Sequence, residues 1–357
     1  MKTYARLLCV LLALCCIFAL ASCKDGDKGD NDTDRTEDTG DTTEKGLKFK
    51  ASEGLLVYYI YKAAYEFTEE DLIEHNFDAE KSLKDQMYDD QHTWYDILVV
   101  RATDILTSLL IWCNAAADDG VELDSEDLRS IEDTLVQHRI VAATDGYSLD
   151  DYLAQIYNNT YITEAVLQAA YELESLSPKY SEVLEERFSG SVTDEMIQAQ
   201  IKQDGSTDTT PTRNIGVIVL SPEKYASPED AAAAAESILN RLRAEEQVIY
   251  GVFERYAAEH SDSGKIYYEN VAKGDMRSEI DGWLYGAEAR KVGDMAVISS
   301  NYGAYIVYYE SDGDPVNVVN AKLALVDKMF EDWFSQMKEK YGTLVSEELI
   351  EGLELDF

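Results

Sequence analysis

Basic residues are scarce in this sequence of 357 residues. Lysine and arginine number 31 against 70 aspartates and glutamates, which leaves a formal net charge of −39 at pH 7. A chain with this balance repels the phosphates of nucleic acids and the head groups of anionic lipids, so we expect neither as a binding partner. A well-solvated surface is sufficient to explain the charge.

Cysteines are also few, and three of the five lie in the first 16 residues. Removal of an N-terminal leader would leave Cys23 and Cys113, and a lipid on Cys23 would then exclude a disulfide within one chain. Cys113 lies in the apolar stretch LLIWCNAAA. We therefore expect it to be a core residue and not a reactive thiol.

The signatures of the common enzyme classes are missing from the sequence. There is no Gly-x-Ser-x-Gly, His-Glu-x-x-His, Cys-x-x-Cys, phosphate-loop or Gly-x-Gly-x-x-Gly pattern. The spacing of Asp30, Asp32 and Asp34 resembles a calcium loop, but Arg35 occupies the place of the required turn glycine. We therefore expect neither a metal nor a cofactor.

Long apolar runs are confined to the N-terminus. Lys2 and Arg6 precede an apolar run from Leu7 to Ala21, a layout typical of a signal peptide. The following LASC resembles the lipobox of bacterial lipoproteins. This resemblance implies a signal peptide of residues 1–22, diacylation of Cys23 and attachment to the extracytoplasmic side of the cell membrane. An uncleaved anchor, or secretion with Cys23 as an incidental thiol, stays open as an alternative.

The composition changes twice along the rest of the chain. Residues 23–46 are polar and acidic and lack aromatic residues, so they are predicted to be a disordered tether. Residues 47–205 have helical periodicity and are predicted to form an all-α domain. One apolar stripe between about Gln91 and Asp118 consists of Trp94, Ile97, Leu98, Ile105, Leu109, Cys113 and Ala116. A second pattern, from about Thr163 to Phe188, contains Pro178, where we expect a kink or a break.

Residues 211–312 have a mixed pattern. The β-rich run RNIGVIVL is followed by an alanine-rich helix that begins with Ser227 and Pro228, and a hairpin is predicted from Met295 to Tyr309. The order β-α-α-β-α-β-β predicts an α+β domain with helices packed on an antiparallel sheet.

The C-terminal segment, residues 317–357, begins with an amphipathic helix predicted from Asn317 to Gly342. We expect this helix to rejoin the helical domain. Its apolar residues that should face that domain are Leu323, Met329, Phe330, Trp333 and Met337.

An ordered series of segments in the mixed domain, AAEHSDSG, YENVAKGDM, ARKVGDMAVISSNYG and AYIVYYE, resembles a parvulin-type peptidyl-prolyl isomerase. The helical region before it, with KSLKDQ, TWYDILV, VELDSED and GYSLDDYLAQIY, is similar to the chaperone region of membrane-anchored foldases of the SurA/PrsA kind. The resemblance implies a foldase that binds unfolded or partly folded secreted polypeptides and rotates X–Pro bonds.

The resemblance also implies where the isomerase site would lie. Met276 matches the apolar methionine of the family, and Ile280 stands in place of its phenylalanine. Ser263 occupies the Cys/Asp position. Asn214 and Tyr305 fall where parvulins carry two histidines, so the pattern is degenerate. The one histidine of this domain, His260, ends a predicted helix and is expected at the surface.

Three hypotheses of function follow. The first is a foldase whose isomerase activity is weak because both histidines are replaced. The second is a chaperone that binds clients and uses the isomerase fold only as a platform. The third, which the resemblance does not favour, is an unrelated lipoprotein receptor or adhesin.

Replacing Cys23 with alanine tests the lipoprotein prediction. Lipid attachment needs the Cys23 thiol, so the Cys23→Ala chain should take up no labelled palmitate and should stay an uncleaved precursor. Cys113→Ala is the matched control and should be labelled like the wild type. Labelling that persists in Cys23→Ala would contradict the prediction.

Overall fold

A computed structural model describes residues 47–79, 81–245 and 250–355. Cys23, the predicted signal peptide, the tether and the aspartates of the calcium-like spacing lie outside the described residues. The chain divides into two compact units. Among the described residues, we call 47–187 together with 330–355 the helical unit, and 188–329 the sheet unit. Within the described ranges, no helix combines the length and the apolar character needed to cross a bilayer.

The helical unit begins with six helices. They are α1 (Glu53–Tyr65), α2 (Glu69–Glu74), α3 (Trp94–Asp118), α4 (Ser125–Thr144), α5 (Leu149–Tyr157) and α6 (Glu164–Ser191), the last of which runs four residues into the sheet unit. Several begin at a side-chain cap. The Thr93 hydroxyl accepts a hydrogen bond from the amide of Asp96 at 3.1 Å, and the Asp96 carboxylate accepts from the amide of Thr93 at 2.8 Å. This reciprocal cap places the start of α3 at Trp94, a few residues after the predicted start.

The apolar stripe of α3 is buried only in part. Trp94, Leu98, Cys113 and Ala116 are buried, but Ile105 and Leu109 are half-exposed. The intervening Leu106 and Leu110 are fully buried instead. Burial raises the pKa of the Cys113 thiol to about 12, and the thiol donates to the carbonyl of Leu173 at 3.4 Å. Cys113 is therefore an inert core residue.

Helix α6 continues through Pro178, so of the expected kink or break, the break does not occur. Proline removes one backbone hydrogen bond of the helix, which by itself costs about 3 kcal/mol relative to alanine. Leu176, Tyr180 and Leu184 are buried around this point. Their burial is worth about 1.5–3 kcal/mol for each aliphatic side chain, enough to keep the helix continuous.

The sheet unit has the predicted α+β architecture. Its helices are α7 (Asp194–Asp204), α8 (Pro228–Arg243), α9 (Tyr250–His260) and α10 (Ser278–Leu284), and a 3₁₀ turn spans Pro222–Lys224. Its strands are β1 (Pro211–Leu220), β2 (Tyr267–Val271), β3 (Met295–Ser300) and β4 (Gly303–Pro315). They form one antiparallel sheet in the order β2-β1-β4-β3. Strand β4 runs beyond the predicted end at Tyr309, because β1 pairs with it as far as Pro315.

The two faces of this sheet carry separate apolar clusters. Helices α8 and α9 pack on one face, against Ile218, Leu220, Ala304, Ile306 and Tyr308. Gly216 is required here, since a Cβ atom at this position would lie 2.5 Å from the Phe253 ring of α9. The other face carries a second cluster, which includes residues of α10.

The C-terminal helices are α11 (Val316–Tyr341) and α12 (Glu347–Glu351). From Phe330 onward, α11 belongs to the helical unit. The Trp112 ring of α3 lies 6.0 Å from the Phe330 ring and 4.4 Å from the Trp333 ring. Hydrogen bonds from Lys340, at 2.6 Å, and then from Tyr341 lower the pKa of Asp118.

The predicted contact face of α11 is correct at two positions and wrong at one. Phe330 and Trp333 contact Trp112 as expected, and Met337 is half-buried. Leu323 is 57% exposed, so its expected contact is absent. Met329 is half-buried, and its sulfur accepts a hydrogen bond from Ser191 at 3.5 Å within the sheet unit.

Because Trp333 contacts Trp112 and Leu323 is exposed, alanine substitutions at these two positions of α11 should differ in their effect on stability. Trp333→Ala should lower the free energy of unfolding by about 2–3 kcal/mol, less than a fully buried tryptophan would. Leu323→Ala is the matched control because it shortens an exposed apolar side chain of the same helix, and it should change stability by less than about 0.5 kcal/mol. Urea denaturation followed by circular dichroism measures both. Equal effects would refute the packing role of Trp333.

Candidate functional site

The candidate site lies on the sheet face that carries the second apolar cluster. Strand β1 contributes Ile215 and Val217, and β4 contributes Tyr305, Val307 and Tyr309. These residues share a face because side chains on a strand alternate between the two sides of the sheet. Ile280 and Leu284 of α10 pack on them and are themselves 2% exposed, so α10 covers this part of the cluster.

Tyr305 lies near the start of β4 on this face. Its backbone pairs with Val219 of β1 on one side and with Ile298 of β3 on the other. The residue is 7% exposed. Its hydroxyl donates to the carbonyl of Tyr302 at 3.5 Å, a length at which a hydrogen bond contributes little. Tyr305 therefore acts here mainly as a large ring in an apolar cluster.

The structure brings Met276 and Ile280 to the same cluster as Tyr305. Ile280 is 2% exposed, whereas Met276 is half-buried in the segment just before α10. The guanidinium of Arg277, the next residue, lies 4.2 Å from the centre of the Tyr302 ring. Met276 with this exposed cation–π pair thus forms the accessible side of the cluster.

Asn214 does not lie beside Tyr305, although the resemblance assigns both residues to the isomerase site. Asn214 pairs with Ser311, while Val219, five residues further along β1, pairs with Tyr305. Five residues of strand span about 16 Å. The Asn214 amide donates to Ser311 Oγ at 3.0 Å, and its oxygen accepts from the amide of Asn270 at 2.8 Å. The side chain therefore supports an irregular part of the β1–β4 pairing, next to the register shift between Asn214 and Ile215.

Ser263 lies in the loop between α9 and β2. Its hydroxyl donates to the carbonyl of Lys265 at 3.2 Å and is used within its own turn. The loop is nevertheless attached to Val219, since the amide of Asp262 donates to the Val219 carbonyl at 2.7 Å. The structure thus brings the loop of Ser263, although not its free hydroxyl, to the strand position opposite Tyr305.

The sequence interpretation missed two residues of this region. Val219, directly opposite Tyr305, looks like any other strand valine in the sequence. Asp262 is the other one. Its carboxylate accepts from the amide of Ser221 at 2.7 Å and from Lys224 at 2.6 Å, and its side chain is 12% exposed. The dipeptide Ser-Asp after the α9 pattern was the available signal, because aspartate at such a turn often accepts backbone hydrogen bonds.

Polar groups occur at the far end of the cluster. Arg213 forms an ion pair with Asp312, and its guanidinium lies 5.1 Å from the Tyr285 ring. Burial, followed by a hydrogen bond to Asp312 of 2.7 Å, raises the pKa of Tyr309 to about 12. Tyr309 therefore stays a neutral phenol at physiological pH.

His260 takes no part in the site. It ends α9, which packs on the opposite face of the sheet, and its Nε2 lies 3.0 Å from a guanidinium nitrogen of Arg241. In the described ranges, no three His, Cys, Asp or Glu side chains are close enough together to hold a metal ion. Among the described residues, the site accordingly consists of an apolar floor, the buried phenols of Tyr305 and Tyr309, and an accessible methionine.

Comparison with known proteins found similar solved structures. No protein-family profile and no curated protein matches the chain. The chain is similar to PrsA foldases. PrsA from Bacillus subtilis is 13% identical with a TM-score of 0.36, covering 74% of this chain and 89% of that one. Foldase protein PrsA from Streptococcus pneumoniae is 16% identical with a TM-score of 0.29, covering 70% and 88%. A SurA-like chaperone from Campylobacter jejuni is 13% identical with a TM-score of 0.24, covering 66% and 87%.

The register of β1 and β4 predicts at which two positions a pair of introduced histidines would lie close together. Val219→His with Tyr305→His places two imidazoles opposite each other, and this variant should raise X–Pro isomerisation by at least about tenfold, a part of the 10²–10³ that tuned polar groups contribute elsewhere. Asn214→His with Tyr305→His is the matched control. It should not raise isomerisation, because the two substituted positions lie about 16 Å apart along the strands.

A protease-coupled isomerisation assay measures both double variants, with thermal melting to verify that each is folded. A larger gain in the Asn214 variant than in the Val219 variant would contradict the importance of this register.

Proposed function

We propose that this protein is an extracytoplasmic foldase or chaperone, anchored to the bacterial cell membrane through a lipid on Cys23. It would bind unfolded or partly folded secreted polypeptides and would have only weak peptidyl-prolyl isomerase activity. In this proposal residues 1–22 are the signal peptide and 23–46 the tether. Residues 47–205 hold the client, 211–312 are the parvulin-like domain, and 317–357 rejoin the helical domain.

One observation carries the proposal: an apolar cluster surrounds Tyr305, which stands where the parvulin resemblance implies a histidine. Tyr305 is paired with Val219, and the cluster around them includes Met276 and Ile280. An apolar wall of this kind suits a proline ring. The two histidines of the resemblance are absent, and Val219 cannot donate or accept a hydrogen bond through its side chain.

Catalysis of X–Pro rotation depends on the surroundings of the proline and requires no nucleophile or metal. Rotation about an X–Pro bond is opposed by amide resonance, and the barrier is about 18–20 kcal/mol. An enzyme lowers it by holding the ring in an apolar slot and by placing polar groups that favour the twisted amide. In this chain Met276 and Ile280 would supply the slot. The polar contribution would be small, because the Tyr305 hydroxyl makes only a long contact to the carbonyl of Tyr302.

A second candidate function is a chaperone without isomerase activity. The burial of Ile280 to 2% and of Tyr305 to 7% exposure favours it, since these side chains already fill the space between the sheet and α10. The parvulin-like domain would then only be a platform for client binding.

Two assays on the mature full-length chain in lipid nanodiscs test the proposal. We expect protease-coupled isomerisation of an X–Pro peptide barely above the uncatalysed rate, together with clear suppression of the aggregation of an unfolded client. Isomerisation at the background rate with suppression intact would favour the platform. Robust isomerisation that collapses in Met276→Ala would contradict the weak activity, and absence of both activities would favour a receptor or adhesin.

A further inference from the structure

The helical unit contains a groove outside the candidate site. It lies between α1, α3 and α6, has a volume of about 580 Å³, and falls in the range of about 300–1,000 Å³ that is usual for ligand sites. Ile105, Leu109 and Trp112 of α3 form one wall, and Pro178 lies on the α6 side. The three α3 residues are half-exposed, so this wall is open to a ligand.

The α6 side of the groove offers a backbone acceptor. Pro178 has no amide hydrogen, so the carbonyl of Glu174, four residues earlier in the helix, has no helical partner. Glu174 and Ser177 both line the groove, and Ser108 lines it from α3. An apolar wall beside two hydroxyls and a carbonyl that lacks its helical hydrogen bond matches an extended peptide, which presents an apolar side chain and backbone N–H and C=O groups together.

The charges around the groove are unbalanced. Lys62 binds Glu174 at 2.6 Å, so these two charges neutralise each other. Asp104 is exposed at the rim, and it forms no ion pair with another of the described residues. The chain as a whole carries a net charge of −39. A lysine or arginine next to the bound apolar side chain would therefore be attracted to this rim.

We propose that this groove binds a short extended polypeptide segment in which a bulky apolar residue is flanked by lysine or arginine. The apolar side chain packs against Leu109, Trp112 and Pro178. A backbone N–H of the segment donates to the carbonyl of Glu174, and the flanking cation meets Asp104. The inference rests on the proposed function, because the segment is part of an unfolded client.

The charge requirement is tested with two labelled synthetic peptides that share a Leu-Phe-Leu core, one flanked by lysines and the other by glutamates. The mature full-length chain in nanodiscs of neutral lipid should bind the lysine-flanked peptide more tightly, as measured by fluorescence anisotropy. Asp104→Lys should lower the affinity for the lysine-flanked peptide about three- to fivefold and raise the affinity for the glutamate-flanked peptide. Asp133→Lys, an exposed charge reversal on α4, is the matched control and should change the ratio of the two affinities little.

The groove itself is tested with two further variants. Leu109→Ala should lower the affinity for the lysine-flanked peptide about five- to tenfold. Leu128→Ala is the matched control because it shortens a leucine of α4 that is 47% exposed, and it should leave that affinity unchanged. Pro178→Ala restores the N–H that pairs with the Glu174 carbonyl. It should raise the melting temperature of the protein and still lower its affinity for the lysine-flanked peptide. If Pro178 had only a structural role, stability and affinity would not change in opposite directions.

Failure of this inference can be told apart from failure of the proposed function. If the wild type suppresses client aggregation but its peptide affinity is the same in Asp104→Lys, Leu109→Ala and Pro178→Ala, clients bind elsewhere and the groove proposal is overturned. If the wild type neither binds the peptides nor suppresses aggregation, the proposed function fails with it. Loss of affinity in the groove variants alone, with the controls unchanged, supports the groove.

Discussion

The pairing of β1 with β4 is the constraint on which the sheet unit depends. It joins the two central strands over nearly their whole length, from Pro211 and Pro315 to Leu220 and Ala304. Because the side-chain period of a strand is two, this single register decides which residues face α8 and α9 and which face α10. It also decides that Tyr305 meets Val219. A different register would have changed the chemical character of the candidate site.

Polar contacts at both ends keep that register in place. At one end the Asn214 side chain donates to the Ser311 hydroxyl and accepts from the amide of Asn270, next to an irregularity of the pairing. At the other end the loop before β2 is fixed to β1 through the amide of Asp262 and the Val219 carbonyl. The middle of the strands is apolar. Polar residues that resemble site residues in the sequence thus serve mainly to hold the frame around an apolar cluster.

In the helical unit, aromatic packing around Trp112 and the proline inside α6 shape the proposed binding surface. Trp112 contacts Trp333 of α11 and also lines the groove beside Pro178. The same tryptophan therefore links the packing of the C-terminal helix to the surface that we propose for client segments. The groove combines the apolar wall of Ile105, Leu109 and Trp112 with polar groups beside it, a composition that suits the extended segment proposed for it.

The sequence by itself determined most helices and strands, the α+β character of the second unit and the core position of Cys113. These features follow from local periodicity, caps and composition, which are written in neighbouring residues. Only the tertiary structure decided that Asn214 lies far from Tyr305, that Val219 is its partner, that α6 continues through Pro178 and that Leu323 is exposed. Each of these depends on pairing or packing between residues distant in the chain, where a shift of one residue in register or a few kilocalories of burial reverses the local preference.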